Sequence, residues 1–477
     1  MSAKPKGVRA THPTYDKLSP QWRRCSDAVD GQDAMRARRE EYLPKLTDEE
    51  DAAYNARLKR SDFYGAMWRT IAGLAGMAFR KPLTLEAPAG MLPLLDDVNM
   101  AGKSLDKLAK GCVEDMLEYG AFGLMVDHPP MPEGVTAISQ AAAERMGLRP
   151  MIQYYEVESI INWRYARINN QHQLVQVVLK ESADVGADEF DRKTEDRYRV
   201  LDLVPLMGDA GQSWAYRQRV FRINEKGEDQ LVSEAYPLMG NRALDRIPFK
   251  IVGALEEPPL LDLADANIAH YQINSDYRHG LHFTGLPTLF LAGVTLEKGQ
   301  SIYIGGSGAI TAPDPNAKAQ YIEFSGQGLQ ETREALRALE QRMAVLGARM
   351  LADETAQAET LGGTQIKRAG ENSILAATVI EVSDALTWAL ELFRDWMPTT
   401  GEVRYEINRD FNPAGLDAQQ LTALVGAVQA GQISEQEFFD LLQRHDVVRA
   451  EKTFEEHQEE IGSQGPARPD AIGIAAA

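Results

Sequence analysis

Cysteine is nearly missing from this chain. Cys25 and Cys112 are the only two in 477 residues, which leaves neither a disulfide framework nor a cysteine-built zinc site. Long apolar runs are missing as well. The most apolar early stretch, residues 65–79, is interrupted by Arg69 and several glycines and is too short to cross a bilayer. Residues 1–20 are polar and broken by prolines, without the apolar core of a secretion signal. A soluble protein made in a reducing compartment is the expectation. An excess of positive charge is the third absence. The net charge of −19 argues against a simple nucleic-acid-coating protein, which usually carries a basic face.

Catalytic constellations are missing too. Five of the eight histidines are scattered. His270, His279 and His282 share one predicted helix with Asp265 and Asp276, and His279 and His282 lie three apart on one face. No third ligand at helical spacing and no adjacent His-Glu motif accompanies them, so hydrogen bonding within a polar helix is the expected role. Gly305-Gly306-Ser307-Gly308 has the glycines of a phosphate loop but not its Gly-Lys-Ser/Thr ending, and reads as a hairpin turn. Gly362-Gly363-Thr364-Gln365-Ile366-Lys367 fails the same spacing. Ser213, Ser325 and Ser373 lack a nucleophile-elbow context, and the acidic pairs Asp96-Asp97 and Glu256-Glu257 read as solvated faces. The sequence therefore predicts no enzyme, no metal and no cofactor.

What is present is length for two to four domains, an ordinary 44% hydrophobic content and an uneven charge. Residues 1–82 hold 16 Lys/Arg against 11 Asp/Glu, whereas residues 401–463 hold 5 against 13. Residues 1–40 are polar and read as a loosely ordered arm. Thr47 and Glu50 match a capping box that opens a helix, and Ser61 reads as the start of the next, with Phe63, Met67, Ile71 and Leu74 on its buried face. A third helix spans about 104–119 and runs into strand-like 123–127. A short helix is expected at about 137–146, and strands near 151–156, 172–180, 197–204, 214–223 and 247–252, with Gly208 and Gly211 as hairpin punctuation.

The stretch 259–398 is the most informative. A helix over 263–283 carries Ile268, Tyr271, Ile273 and Tyr277 among Asn, Asp, Gln, Arg and His. A helix so polar is expected to bridge solvent or press against copies of itself. A β-rich insert follows, 284–325, with strand-like 289–291, 301–304 and 321–324. A second helix, about 328–352, places Leu336, Leu339, Met343, Leu346 and Met350 on a narrow two-per-heptad seam. The two helices flank one insert, so they can stand as an antiparallel stalk with a small module at its tip. Residues 352–370 form a polar, Gly-rich loop, and 372–396 a long apolar-striped helix. A strand at 403–407, a short helix at 417–430 and a capping box of Ser434 and Glu437 complete the chain, before an acidic and then Gly/Pro/Ala-rich end. In the polar loop, Lys367 and Arg368 sit beside Thr364 and Gln365. In one chain that is two charges; repeated around a ring it becomes a belt of phosphate-binding donors.

This order of elements, with its residues, resembles the portal proteins of tailed bacteriophages, and most nearly a portal-like subfamily from phages and prophages. The matching pieces are residues 120–127 before a Pro-rich turn, Arg149-Pro150 followed by Ile160-Ile161-Asn162-Trp163-Arg164, and Asn267-Ile268-Ala269-His270-Tyr271 with residues 275–283. Leu286-Pro287-Thr288, residues 321–326, 347–351 and 368–375 complete them. The motifs are specific in combination and weak singly, and the resemblance covers about residues 45–450. It implies an α+β portal fold that assembles as a ring, dodecameric in the family, at one vertex of a virion capsid, after synthesis in the host cytoplasm. After the arm at 1–40, the wing would be 41–257 plus 372–412, the stem 259–283 and 327–352, the clip 284–326, the tunnel loop 353–371, the crown 413–463 and a flexible tail 464–477. Implied partners are the terminase large subunit, the head–tail adaptor, the major capsid protein or scaffold, and double-stranded DNA without sequence preference; no membrane is implied. The DNA-facing residues would be Thr364, Gln365, Lys367 and Arg368. The clip would offer Leu291, Val294, Lys298, Tyr303 and Lys318. The alternatives are another structural ring or head–tail adaptor of the virion, and a hydrolase whose site the sequence hides.

Overall fold

The computed structural model describes residues 6–129, 142, 145–186, 188–208, 211–240, 242–284, 288–293, 316–322, 327–349, 373–409, 411, 424–428, 432–444, 448 and 452–463. Within them the chain mixes helices with antiparallel sheets, the α+β class expected.

The N-terminal stretch departs from expectation. Helix α1 (Pro13–Asp30) starts on a proline, whose missing N–H would be unpaired there in any case, and the His12 Nδ1 accepts from the Thr14 N–H at 3.1 Å. It buries Leu18, Trp22, Cys25 and Ala28, and α2 (Gln32–Arg38) adds Met35. Residues 13–38 are core helices and not a loose arm, because apolar side chains recur every three or four residues despite the two prolines.

Two helix starts also move. Helix α3 (Asp51–Arg60) has Glu50 as its N-cap, with no side-chain cap. Thr47 and Glu50 match the capping-box pattern but do not form it. Glu49 instead accepts from the Leu46 N–H at 3.1 Å and grips Arg57 with both oxygens, at 2.9 and 2.7 Å. Ser61 ends α3, donating to the Arg57 carbonyl, and α4 (Ala66–Ala78) starts after Gly65. The face of Phe63, Met67, Ile71 and Leu74 is buried as expected. Helix α5 (Leu105–Tyr119) has Ser104 as its cap.

After β1 (Thr84–Glu86), strand β2 (Ala121–Asp127) is buried along its whole length between β3 (Met151–Glu156) and a later strand, β11 (Phe249–Gly253). Its alternation feeds two cores. Phe122, Leu124 and Val126 face the helices, whereas Met125 faces a second sheet. Gly123 has to be glycine, since a Cβ there would lie 2.6 Å from the Phe249 ring and 3.0 Å from Ile160. The second sheet is a five-stranded antiparallel meander: β4 (Ile160–Ile168), β5 (Gln171–Asp184), β6 (Thr194–Gly208), β7 (Gly211–Ile223) and β8 (Asp229–Ala235). Gly208 pairs with Gly211 across the β6–β7 turn. One face, with Trp163, Val177, Leu179 and Leu201, packs on Met125, Tyr155 and Phe249. The other, with Ile161, Val178, Tyr198 and Val200, is covered by Val8 and Tyr15. Residues 8–12 form a strap across it. The His12 N–H donates to the Ile161 carbonyl at one edge, and the Val8 N–H to Asp229 at the other. Coverage on both faces explains why residues 174–179 are almost entirely apolar. Two short strands, β9 (Leu238–Met239) and β10 (Arg242–Ala243), pair before β11.

Beyond β11 come the stalk helices α6 (Leu261–Thr284) and α7 (Gln327–Arg349), joined through β12 (Thr288–Ala292) and β13 (Lys318–Ile322), an antiparallel pair. Helix α8 (Ile374–Asp395), capped by Ser373, buries Leu375, Val379, Val382, Leu386, Leu390 and Phe393 against α4, α5 and β2. Strand β14 (Arg404–Glu406) pairs with β1, tying this late segment into the early core. Helices α9 (Glu435–Arg444) and α10 (Phe454–Ser463) meet through Phe439, Phe454 and His457. At α9 the expected capping box is formed: the Glu437 N–H donates to Ser434 Oγ at 3.1 Å, and the Ser434 N–H to Glu437 at 3.4 Å. Thr453 and Glu456 form a second one before α10. The helix expected at 137–146 and that at 417–430 fall largely outside the described residues. No helix among the described residues is long and apolar enough to cross a membrane.

Candidate functional site: the stalk and its tip

Helices α6 and α7 run antiparallel. His270 Nε2 lies 3.4 Å from Glu340 at the level of the body, and from there nearly equal lengths of the two helices lead out to the hairpin. At 24 and 23 residues the rods are roughly 35 Å long. Leu336 and Met343 of the expected seam are buried, and Leu339 and Leu346 are half-buried. A Cβ on Gly347 would lie 3.0 Å from Thr70, so α7 returns to the body against α4.

The polarity of α6 has a cause that the sequence did not disclose. Its inner half is buried by its own chain: Leu263, Ala264, Ala266, Ile268 and Tyr271 join the main core. The polar residues between and beyond them bond to residues within 42–67. Asn267 is fully buried. Its Oδ1 accepts the Ala66 and Met67 N–H groups at 3.2 and 3.3 Å, and its Nδ2 donates to the Tyr64 carbonyl at 2.6 Å. It thus caps α4 from two hundred residues away. Gln272 donates to the Tyr42 carbonyl, Asn274 to the Asp62 carbonyl, and Arg278 to the Asp62 carboxylate at 2.8 Å. Ser275 Oγ lies 2.7 Å from Ser61 Oγ, to which it can donate, and 3.4 Å from Arg57. The expectation that this helix needs solvent or neighbouring copies to satisfy it is therefore corrected for the inner half. The signal was there: Asn267, Asn274, Ser275 and Arg278 share one helical face.

Arg57 and Glu49 form a buried pair at this root, with side chains 2% and 5% exposed. Their hydrogen bond holds the Glu49 carboxyl below its ordinary range. Burial lowers the His270 pKa, against the raising effect of Glu340. Burial also lowers that of His279, assisted by Arg60 and Arg57. The three stalk histidines do not converge. His270 packs on Tyr64 and reaches the opposite rod instead of bonding within its own helix, while His279 and His282 each meet Phe283. Asp265 pairs with Arg24 at 2.9 Å.

The outer half differs. Leu281 is 44% and Phe283 51% exposed on α6, and Val345 of α7 is 55% exposed nearer the body. At the tip, Leu291 pairs with Ala319, and Ala292 with Lys318. Paired residues share a face and successive residues alternate, so Leu291 and Lys318 project from opposite faces. Phe290 and Tyr321, also on opposite faces, are both exposed. Val294, Lys298 and Tyr303, and the loop residues Thr364, Gln365, Lys367 and Arg368, lie outside the described residues.

A family model described as "Domain of unknown function (DUF4055)" matches residues 259–397, which are the stalk, its tip and α8. No curated protein matches the chain. Among solved structures, a chain of "Virion of native gene transfer agent (GTA) particle" is similar at 13% identity with a TM-score of 0.40, covering 86% of this chain and 98% of that one. A chain of "Neck of empty GTA particle computed with C6 symmetry" is similar at 15% identity and TM-score 0.41, covering 83% and 94%. One of "Neck of native GTA particle computed with C12 symmetry" is similar at 16% and 0.36, covering 81% and 92%. No residue role follows from these likenesses.

Proposed function

We propose that this chain is the subunit of a portal ring: a passive, ATP-independent conduit through which double-stranded DNA enters and leaves a virion capsid. The observation that carries the proposal is the stalk. Its root is locked into the body by side chains of α6, while its outer half and two-faced hairpin leave Leu281, Phe283, Phe290 and Tyr321 about half exposed. Lateral neighbours around a hole, and a partner at the tip, would cover such surface. The sequence motifs shared with portal proteins give the same reading.

In this assignment the stem is 259–283 and 327–352, the clip 284–326, the tunnel loop 353–371 and the crown 413–463. The wing is 41–257 with 372–412, to which the core helices α1 and α2 add themselves. DNA contact falls to Lys367 and Arg368, assisted by Gln365 and Thr364, and is blind to sequence. Leu291, Val294, Lys298, Tyr303 and Lys318 meet the packaging motor and later the adaptor. Because Leu291 and Lys318 face apart, a partner using both has to grip the hairpin from two sides. Electron microscopy of the purified protein tests the proposal. Rings with a central hole are expected, and monomers alone under every assembly condition tried would overturn it.

A further inference from the structure

Beside the stalk root lies an open cleft of about 550 Å3, lined by Arg36, Lys59, Arg60, Asp62, Arg278 and Leu281 among others. Its charge is out of character for a chain of net −19. Asp62 is neutralised by Arg278 at 2.8 Å. Among the described residues, Arg36 donates only to the Lys59 and Ser61 carbonyls, both at 2.9 Å, and pairs with no carboxylate. Among the described residues, neither Lys59 nor Arg60 pairs with a carboxylate. The Nε groups of Arg36 and Arg60 are buried without a hydrogen-bond partner. Three cations therefore converge with no carboxylate paired to them among the described residues.

We infer that this cleft is a docking site for an acidic peptide segment of a partner protein, with carboxylates set between Lys59, Arg60 and Arg36 and an apolar side chain on the ledge of Leu281. Two observations favour a peptide over DNA. The cleft has the size of a pocket for a few side chains, and Leu281, 44% exposed, lines it with apolar surface that a phosphate backbone would not use. A duplex would also sample the field of the whole acidic chain, whereas a short segment feels mainly the charges within a Debye length of about 8–10 Å. The inference rests on the portal reading only for the partner being a protein that docks on the stalk.

The test is fluorescence anisotropy on the full chain with a labelled peptide of repeating Asp-Leu-Glu, its Asn-Leu-Gln counterpart and a short DNA duplex. The acidic peptide should bind at least about tenfold more tightly than the amide version, weakening as salt rises. Lys59→Gln with Arg60→Gln should remove that preference, while Lys226→Gln, on a distant turn, should leave it intact. Lys59→Glu alters an exposed residue only and should weaken binding further, and thermal melts check that each variant is folded. Equal binding of both peptides, no effect of the cleft variants, or a duplex that binds more tightly and is lost with the same residues would each overturn the inference. Rings without peptide binding would sink this inference alone; peptide binding without rings would sink the portal reading alone.

Discussion

The inner and outer halves of α6 are similar in composition and opposite in fate. Inside, Asn267, Gln272, Asn274 and Ser275 are satisfied by the backbone and hydroxyls of residues 42–65. Outside, Leu281 and Phe283 stand in solvent. A polar helix is thus not one kind of object. Whether its side chains are glue or surface depends on whether a segment with unpaired N–H and carbonyl groups runs alongside, and the stretches before α3 and between α3 and α4 supply that segment only at the root.

The largest test of this contrast is the buried pair. Arg57→Met leaves the Glu49 carboxylate buried without its cation and frees the Pro44 carbonyl, and should destabilise the chain by about 3–5 kcal/mol in chemical denaturation. A loss under about 1 kcal/mol would mean that the root is not locked in this way.

Titration should separate stalk root from body more gently. In α5, burial raises Asp115 to about 8 and Glu118 to about 7, so the folded protein holds protons that the unfolded chain has released. That contribution is most favourable below about pH 4 and is lost as pH rises toward 8, at about 1.4 kcal/mol per unit for each group at most. His270 and His279 have lowered values, so their contribution is fully present above about 6.5 and is lost as pH falls below it through their lowered folded values. Between pH 8 and 5, protection against amide exchange, corrected for the pH dependence of the intrinsic rate, should therefore fall in α6 and rise in α5. Asp115→Asn should abolish most of the change in α5 and none of that in α6. Parallel changes in both helices would refute the distinction.

How much of this was legible varies with the range of the interaction. The cap of Ser434 is settled within four residues and could be read directly, whereas Ser104, equally local, was read as the first residue of its helix and is its cap. Thr47 and Glu50 carry the same pattern, yet Glu49 is drawn to Arg57 and the box never closes. The cap that α4 uses lies on Asn267, beyond the reach of any local pattern. For α1, the periodic Leu18, Trp22, Cys25 and Ala28 were visible, and Pro13 and Pro20 obscured them. At the tip, the strands around Leu291 and Lys318 were legible, but their opposite faces follow from register, which depends on pairing across the insert.

Asn267→Leu sharpens the contrast at smaller scale. It removes three hydrogen bonds and leaves the Met67 N–H of α4 buried without its acceptor, while the Ala66 N–H keeps the Tyr64 carbonyl, a loss of about 2 kcal/mol. Asn267→Asp should recover part of it, since a carboxylate still accepts from both N–H groups but cannot donate to the Tyr64 carbonyl. If the two variants were equally unstable, the cap would not be what Asn267 contributes.

The tip should be nearly silent in the isolated chain. Phe290→Ser with Tyr321→Ser removes two exposed rings, from opposite faces of a two-stranded hairpin, and surface changes of this kind stay within about 0.5 kcal/mol. The effect belongs instead to whatever grips the hairpin. Each single variant should weaken partner binding, because each strips one of the two faces, and the double variant should weaken it more than either. A partner that used one face alone would leave one single variant at full affinity. That outcome would contradict a two-sided grip while leaving the locked root of the stalk untouched.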